Sequence, residues 1–280
     1  MKIRFFSFFF GLITQLVLSQ EVVCSVADRA AFETKMSQIA NLHNPKDFGR
    51  TLTAVGKTFL GTPYVAQTLE IGEAEALVVN LQGLDCTTFV ENVLAFSLML
   101  KNGVNAFDQF VQNLETIRYK NGQLDGYASR LHYFTEWISD NEKKGLLRDI
   151  TSDIGGQHAP KIINFMSTHR DLYPFLSDED NFKKIVAAET DLTGQSICIL
   201  PQDQIAANEH LLQSGDIIAL STSIKGLDVT HTGILSREDD GRIHLLHAST
   251  TGAVEVSKLP LTDYLQKVKS NTGIIVARPL

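Results

Sequence analysis

The sequence predicts an α+β fold: helices gathered toward the N-terminus, a C-terminal antiparallel sheet, and a helix opening at Cys86 packed on that sheet. Three observations carry it. Phe89, Val93, Phe96 and Leu100 recur at helical spacing after Cys86. From Leu211 onward the chain changes to short apolar runs bounded by Gly, Pro, Asp or Ser. No Pro/Ser/Gly-rich linker interrupts residues 20–280, so one domain is expected, its middle segment about 102–210 being the less regular part.

The chain of 280 residues is 44% hydrophobic and 20% charged, which suits a globular protein with a sizeable core. Its net charge of -7 and the lack of a Lys/Arg block argue against a nucleic-acid partner. Met1 to Arg4 is basic, and Phe5 to Leu18 is an apolar run too short to span a bilayer comfortably. Residues 1–19 are therefore expected to be a signal peptide, with export to the periplasm or cell envelope and no integral membrane segment afterwards. A cut after Ala27 and lipid attachment at Cys24 are the less favoured alternatives, the latter because Cys24 lies beyond the apolar run and follows Val23. Three cysteines in an exported chain leave at least one unpaired; a Cys24–Cys198 pair would leave Cys86.

Ala27 to Leu42 and Lys46 to Leu60 read as helices, the second with Phe48, Leu52, Val55 and Phe59 on one stripe and a stop at Gly61-Thr62-Pro63-Tyr64. Glu70 to Asn80 is acidic and then apolar, a short strand. The helix begun at Cys86 ends at Lys101-Asn102-Gly103. Phe107 to Tyr119 fits helix and strand equally. Arg130 to Lys144 reads as a helix, Leu146 to Ile154 as a strand, and Ser177 to Thr190 as a helix with an acidic first turn. Strands are expected over Ile217 to Ser221, Val229 to Ser236, Arg242 to Ser249, Ala253 to Leu259 and Gly273 to Pro279, in a meander.

A cysteine at a helix start is where unpaired N–H groups and the positive end of the dipole favour a thiolate, with Asp85 as the cap. A lone cysteine there is more often a small buried hydrophobe, so downstream partners matter. They lie in the hairpin Val229 to Ser249. A three-residue loop Asp239-Asp240-Gly241, with Gly241 left-handed, pairs Glu238 with Arg242 and puts His247 opposite Gly233. His231 and His247 then become diagonal neighbours on one face, about 7 Å apart at the backbone, with no side chain at Gly233 to part them. A two-residue turn would separate them. His244 falls on the other face, which weakens a zinc reading, and neither metal nor cofactor is expected. In this geometry Cys86 is a nucleophile, His231 its base and His247 the group that fixes the tautomer of His231.

Gly61-Thr62-Pro63-Tyr64, Asp85-Cys86-Thr87-Thr88-Phe89-Val90, Leu212-Gln213-Ser214-Gly215-Asp216, His231-Thr232-Gly233-Ile234-Leu235 and His247-Ala248-Ser249-Thr250 resemble, in order, the motifs of NlpC-type papain-like cysteine peptidases that cut bacterial cell-wall peptides. The resemblance implies a papain-like fold, the same three catalytic residues, and Tyr64 lining the site. Thr87-Thr88 stands where Ser-Gly is common, the stretch from Tyr64 to Asp85 is long, and the middle segment, about 102–210, is enlarged relative to the minimal family. With Ile117-Arg118-Tyr119 and the run Asp125 to Tyr133, these departures resemble the N-acetylmuramoyl-L-alanine amidase-like branch. That implies hydrolysis of the N-acetylmuramoyl-L-alanine amide of muropeptides through an acyl-enzyme. Tyr127, Arg130 and Tyr133, with Asp85, would bind substrate, Arg130 offering a fork to a carboxylate and the tyrosines faces to sugar or peptide. Each is equally readable as a core residue. The competing functions are a D-glutamyl-diaminopimelate endopeptidase of the same fold, a non-catalytic cell-wall-binding module, and an acyltransferase.

Overall fold

The computed structural model describes residues 22–42 and 46–280, so the expected signal peptide lies outside the described residues. In chain order the elements begin with β1 (Val22–Cys24), α1 (Val26–Ile39), α2 (Phe48–Lys57), β2 (Leu77–Val79), α3 (Cys86–Asn102) and α4 (Phe107–Arg118). The middle segment adds α5 (Phe134–Lys143), β3 (Leu147–Asp149), β4 (Gln157–Pro160), α6 (Phe165–Thr168), α7 (Glu179–Thr193), β5 (Ser196–Pro201) and α8 (Ile205–Asn208). The chain closes with β6 (Ile217–Thr222), β7 (Val229–Arg237), β8 (Ile243–Ala248), β9 (Val254–Val256), α9 (Leu261–Gln266) and β10 (Asn271–Pro279). The fold is α+β.

All five expected C-terminal strands are present, but the meander covers only β6 to β9. The final strand folds back to pair with β6 on the other side, and β5 and β4 extend the sheet beyond it; β3 pairs with the far end of β10. These pairings are antiparallel. A separate parallel pair joins β1 to β2. Alternation along the strands buries both faces: Ile217, Ala219, Ile234, Leu246 and Ile275 meet the helices, while Ile218, Leu220, Leu235, Leu245 and Ile274 meet Leu261, Leu265 and Ile205.

Helix α3 departs from the amphipathic pattern its apolar spacing predicts. Every residue from Thr88 to Met99 is buried, because α2, α4 and the sheet surround it. Its polar side is matched internally: Arg118 Nε donates to Glu91 at 2.7 Å, each side chain 2% exposed, and Arg118 Nη1 donates to the carbonyl of Val78. An unmatched charge there would carry a penalty of several kcal/mol, roughly 3–5 kcal/mol by the behaviour of broken buried pairs.

The middle segment corrects several expectations. Phe107 to Arg118 is helical, its ambiguity resolved by packing of Phe110, Leu114 and Ile117 into the core. The helix expected from Arg130 begins only at Phe134, because Arg130 is extended and bridges Tyr119. The strand expected over Leu146 to Ile154 stops at Asp149, where the Asp149 carboxylate accepts from the N–H and hydroxyl of Thr151 and turns the chain. Strands β4 and β5, unforeseen, lie at the open edge of the sheet, and β4 is exposed throughout. Tyr127, Tyr133, Ile163, Met166, Leu176 and Ile185 form a satellite core here. Cys24 and Cys198 are unbonded, on strands of two different sheets, and Cys86 is also free. Among the described residues no helix is long and apolar enough to cross a membrane.

Candidate active site

Cys86 is the first residue of α3, fixed by a reciprocal cap. The Asp85 carboxylate accepts from the Thr88 N–H at 2.8 Å, and the Thr88 hydroxyl accepts from the Asp85 N–H at 2.9 Å. The cap also holds the sulfur against β7. The backbone N–H groups of Thr232 and Thr87 and the Thr87 hydroxyl lie around it and favour the thiolate.

The β7–β8 hairpin has the expected register. Gly241, at φ +77, donates its N–H to the carbonyl of Glu238, whose own N–H reaches the carbonyl of Arg242. Ile234 pairs with Leu246 and Leu235 with Leu245, which carries His247 opposite Gly233. A Cβ on Gly233 would stand 3.1 Å from the Cβ of His247 and 2.9 Å from the carbonyl of Leu246. In the space that glycine leaves, His231 Nε2 and His247 Nδ1 approach to 2.7 Å, with the rings perpendicular. His244 points elsewhere, to the carbonyl of Ser257 and the carboxylate of Asp240.

Cys86 and His231 line one cavity of about 160 Å³, together with Tyr133, Phe134, Met166, Tyr173 and Asp228. The surroundings oppose the thiolate that the helix start favours. Burial and the neighbouring Asp85 carboxylate push the Cys86 thiol up to about 11, outweighing the lowering effect of the Thr232 and Thr87 groups. Burial likewise lowers His231 to about 3, helped by His247, and lowers His247 to about 4 against the pull of Glu255. The resting groups are a neutral thiol and neutral imidazoles. A nucleophile therefore forms only as the proton leaves.

The other expected site residues fall into two groups. Tyr64, on a bridge to Leu84, lies within the field of Cys86, which with burial raises its phenol. Tyr133 lines the cavity, its hydroxyl donating to Glu189 and accepting from the Met166 N–H. Tyr127 and Arg130 are not among the residues lining that cavity. The Tyr127 ring packs edge-on against Phe175, buried, and Arg130 lies over it. Arg130 is not an open fork, because Glu70 and Glu75 flank its guanidinium. Two acidic side chains thus already face this buried guanidinium. Asp85 serves as cap.

Sequence reasoning missed Tyr264 of α9, whose ring stands edge-on to His247 at 5.4 Å, and Glu255 of β9, 4.0 Å from His247 Nε2. Asp228 was also unforeseen. It is buried and accepts from the N–H and hydroxyl of Thr135 and from the Val229 N–H, so it holds the start of α5 against the cavity wall. Strand parity could have placed Glu255 beside His247, had the turn between β8 and β9 been readable.

A family model described as N-acetylmuramoyl-L-alanine amidase-like matches residues 54–274. The fold is similar to that of an N-acetylmuramoyl-L-alanine amidase from Bacteroides uniformis, at 39% identity and a TM-score of 0.79 over 83% of this chain and 99% of that one. It is also similar to a putative xylanase from Bacteroides fragilis, at 40% identity and a TM-score of 0.75 over 80% and 98%. A Legionella pneumophila protein shares the fold at 22% identity, with a TM-score of 0.63 over 91% and 93%. No curated protein matches the chain. With most of its length matched by the family model and nearly all of its 39%-identical structural relative aligned, the chain belongs to the N-acetylmuramoyl-L-alanine amidase-like family.

Proposed function

We propose that this protein is a cell-wall amidase that hydrolyses the amide between N-acetylmuramic acid and L-alanine in peptidoglycan fragments. Its papain-like site would use Cys86 as nucleophile, His231 as base and His247 as the orienting group. The observation that carries the reading is that Cys86 and His231 open into one cavity while His231 is bonded to His247 at 2.7 Å. The matched family and the Bacteroides uniformis amidase support the choice of bond.

The chemistry follows from the geometry. His247 engages Nε2 of His231, which leaves Nδ1 to take the thiol proton. The sulfur attacks the muramoyl carbonyl carbon, and N–H groups of the first turn of α3 stabilise the oxyanion. The C–N bond breaks as His231 returns the proton to the leaving L-alanyl amine, and a thioester remains on Cys86. Water then attacks the thioester, His231 takes its proton, and the carboxylic acid and the thiol are released. Because the resting thiol and imidazoles are neutral, proton transfer and attack are coupled in the first step.

A glycosidase, as the name of the Bacteroides fragilis relative would imply for that protein, needs two carboxyl groups flanking the scissile bond. The cavity here offers Asp228, and both of its oxygens already accept hydrogen bonds. Replacing Cys86 with Ala is expected to lower turnover of a defined disaccharide-peptide about a thousandfold or more. Mass spectrometry of the wild-type products should give free disaccharide and intact peptide. Sugar still bearing L-alanyl-D-glutamate would mark an endopeptidase, and undiminished turnover by the alanine variant would remove the cysteine mechanism.

A further inference from the structure

We propose that Glu255 is a positioning residue of this site, acting through His247 as the last member of a relay that runs Cys86, His231, His247, Glu255 across α3, β7, β8 and β9. The inference rests on the roles given above to Cys86, His231 and His247.

The β8–β9 register sets Glu255 directly opposite His247. On an antiparallel pair, opposite residues point to the same face, so the carboxylate and the ring meet without any loop having to place them. His247 is 1% exposed, and its Nε2 is buried with no hydrogen-bond partner, while Glu255 Oε1 stands 4.0 Å away. A buried ring nitrogen without a partner is costly, on the order of 1–3 kcal/mol. The carboxylate is the acceptor in reach. The Glu255 side chain keeps 46% exposure, so rotation about its own bonds can close the gap.

That contact would select a tautomer. With Nε2 carrying the proton toward Glu255, Nδ1 of His247 becomes an acceptor, and His231 must donate to it from its own Nε2. Nδ1 of His231 is then the unprotonated nitrogen, as a base facing the thiol requires. The titratable groups facing His247 are His231 from β7, Glu255 from β9 and Tyr264 from α9, with the Cys86 thiol beyond His231. Of these, Glu255 supplies the negative charge. It favours positive charge on His247, the ring that His231 leans on as the proton moves off the sulfur.

The test compares wild type, Glu255→Gln and Glu255→Ala. It uses site-resolved mass spectrometry of iodoacetamide labelling at Cys86 from pH 5 to 9, together with kcat and KM on a disaccharide-peptide. The alanine variant should label Cys86 about tenfold more slowly at pH 7 and lose kcat about tenfold, the effect of roughly one pK unit, with KM within twofold. Glutamine keeps an acceptor oxygen without the charge and should recover part of both. Wild-type labelling and kcat in both variants would overturn the inference. If the alanine variant fails to fold, glutamine decides: slowed labelling at unchanged KM supports the relay, and a wild-type rate overturns it. An active Cys86→Ala enzyme would overturn the site and the relay together. An inactive one beside wild-type-like Glu255 variants would overturn the relay alone.

Discussion

At the scale of single residues, the site is a set of groups held in the uncharged form by burial. His231 and His247 are lowered to about 3 and about 4, whereas in the unfolded chain each would titrate near 6.5. A folded-state pKa below the unfolded one means that the unfolded chain binds protons first. The stability held above pH 6.5 is therefore lost as pH falls from 6.5 toward those lowered values. At pH 5 each imidazole would account for roughly 2 kcal/mol of the loss. Urea unfolding at pH 7 and pH 5 should show that fall, and a His231→Gln, His247→Gln double variant should show a shallower one; equal slopes would contradict the assignment. His231, Gly233 and His247 were readable from sequence because strand alternation and a left-handed glycine are short-range rules. The state of Cys86 was not. The helix start is local, but the protein packed around the sulfur comes from β7, far along the chain.

At the scale of elements, the start of α3 performs two tasks with one carboxylate. Asp85 caps the helix, and its charge also disfavours a thiolate at Cys86. Substitution can separate the two. Asp85→Asn keeps an acceptor for the Thr88 N–H and removes the charge, so iodoacetamide labelling of Cys86 should speed up with stability changed by only a few tenths of a kcal/mol. Asp85→Ala loses the cap as well and should cost about 1 kcal/mol in urea unfolding. If labelling in the asparagine variant matches wild type, the carboxylate is not what holds the thiol up. Elements in the middle segment were legible only in part. The start of α5 depends on Asp228, a residue of the distant β6–β7 connection, and the pairing of Arg130 was hidden because one of its carboxylate partners lies 60 positions upstream.

At the scale of the molecule, the central helix and the N-terminal part of the middle segment are joined by the buried pair Glu91 and Arg118. Arg118→Met should destabilise the protein by roughly 3–5 kcal/mol, because it strands a carboxylate in the core, and adding Glu91→Leu should restore much of the loss. Denaturant unfolding of the two single variants and the double variant gives the coupling directly; additive effects would mean that the pair is not a unit. The α+β class was legible because period-3.6 and period-2 patterns occupy different stretches of chain. The sheet's outer strands were not, since β4 is exposed throughout and shows no apolar alternation. The chamber beside Cys86 holds about 160 Å³, ringed by Tyr133, Tyr173 and Met166. Space on that scale shelters the bond to be cut and the few atoms on either side. For the amidase proposed above, a long glycan or a branched peptide would trail into solvent, so preference among muropeptides would be decided at the doorway.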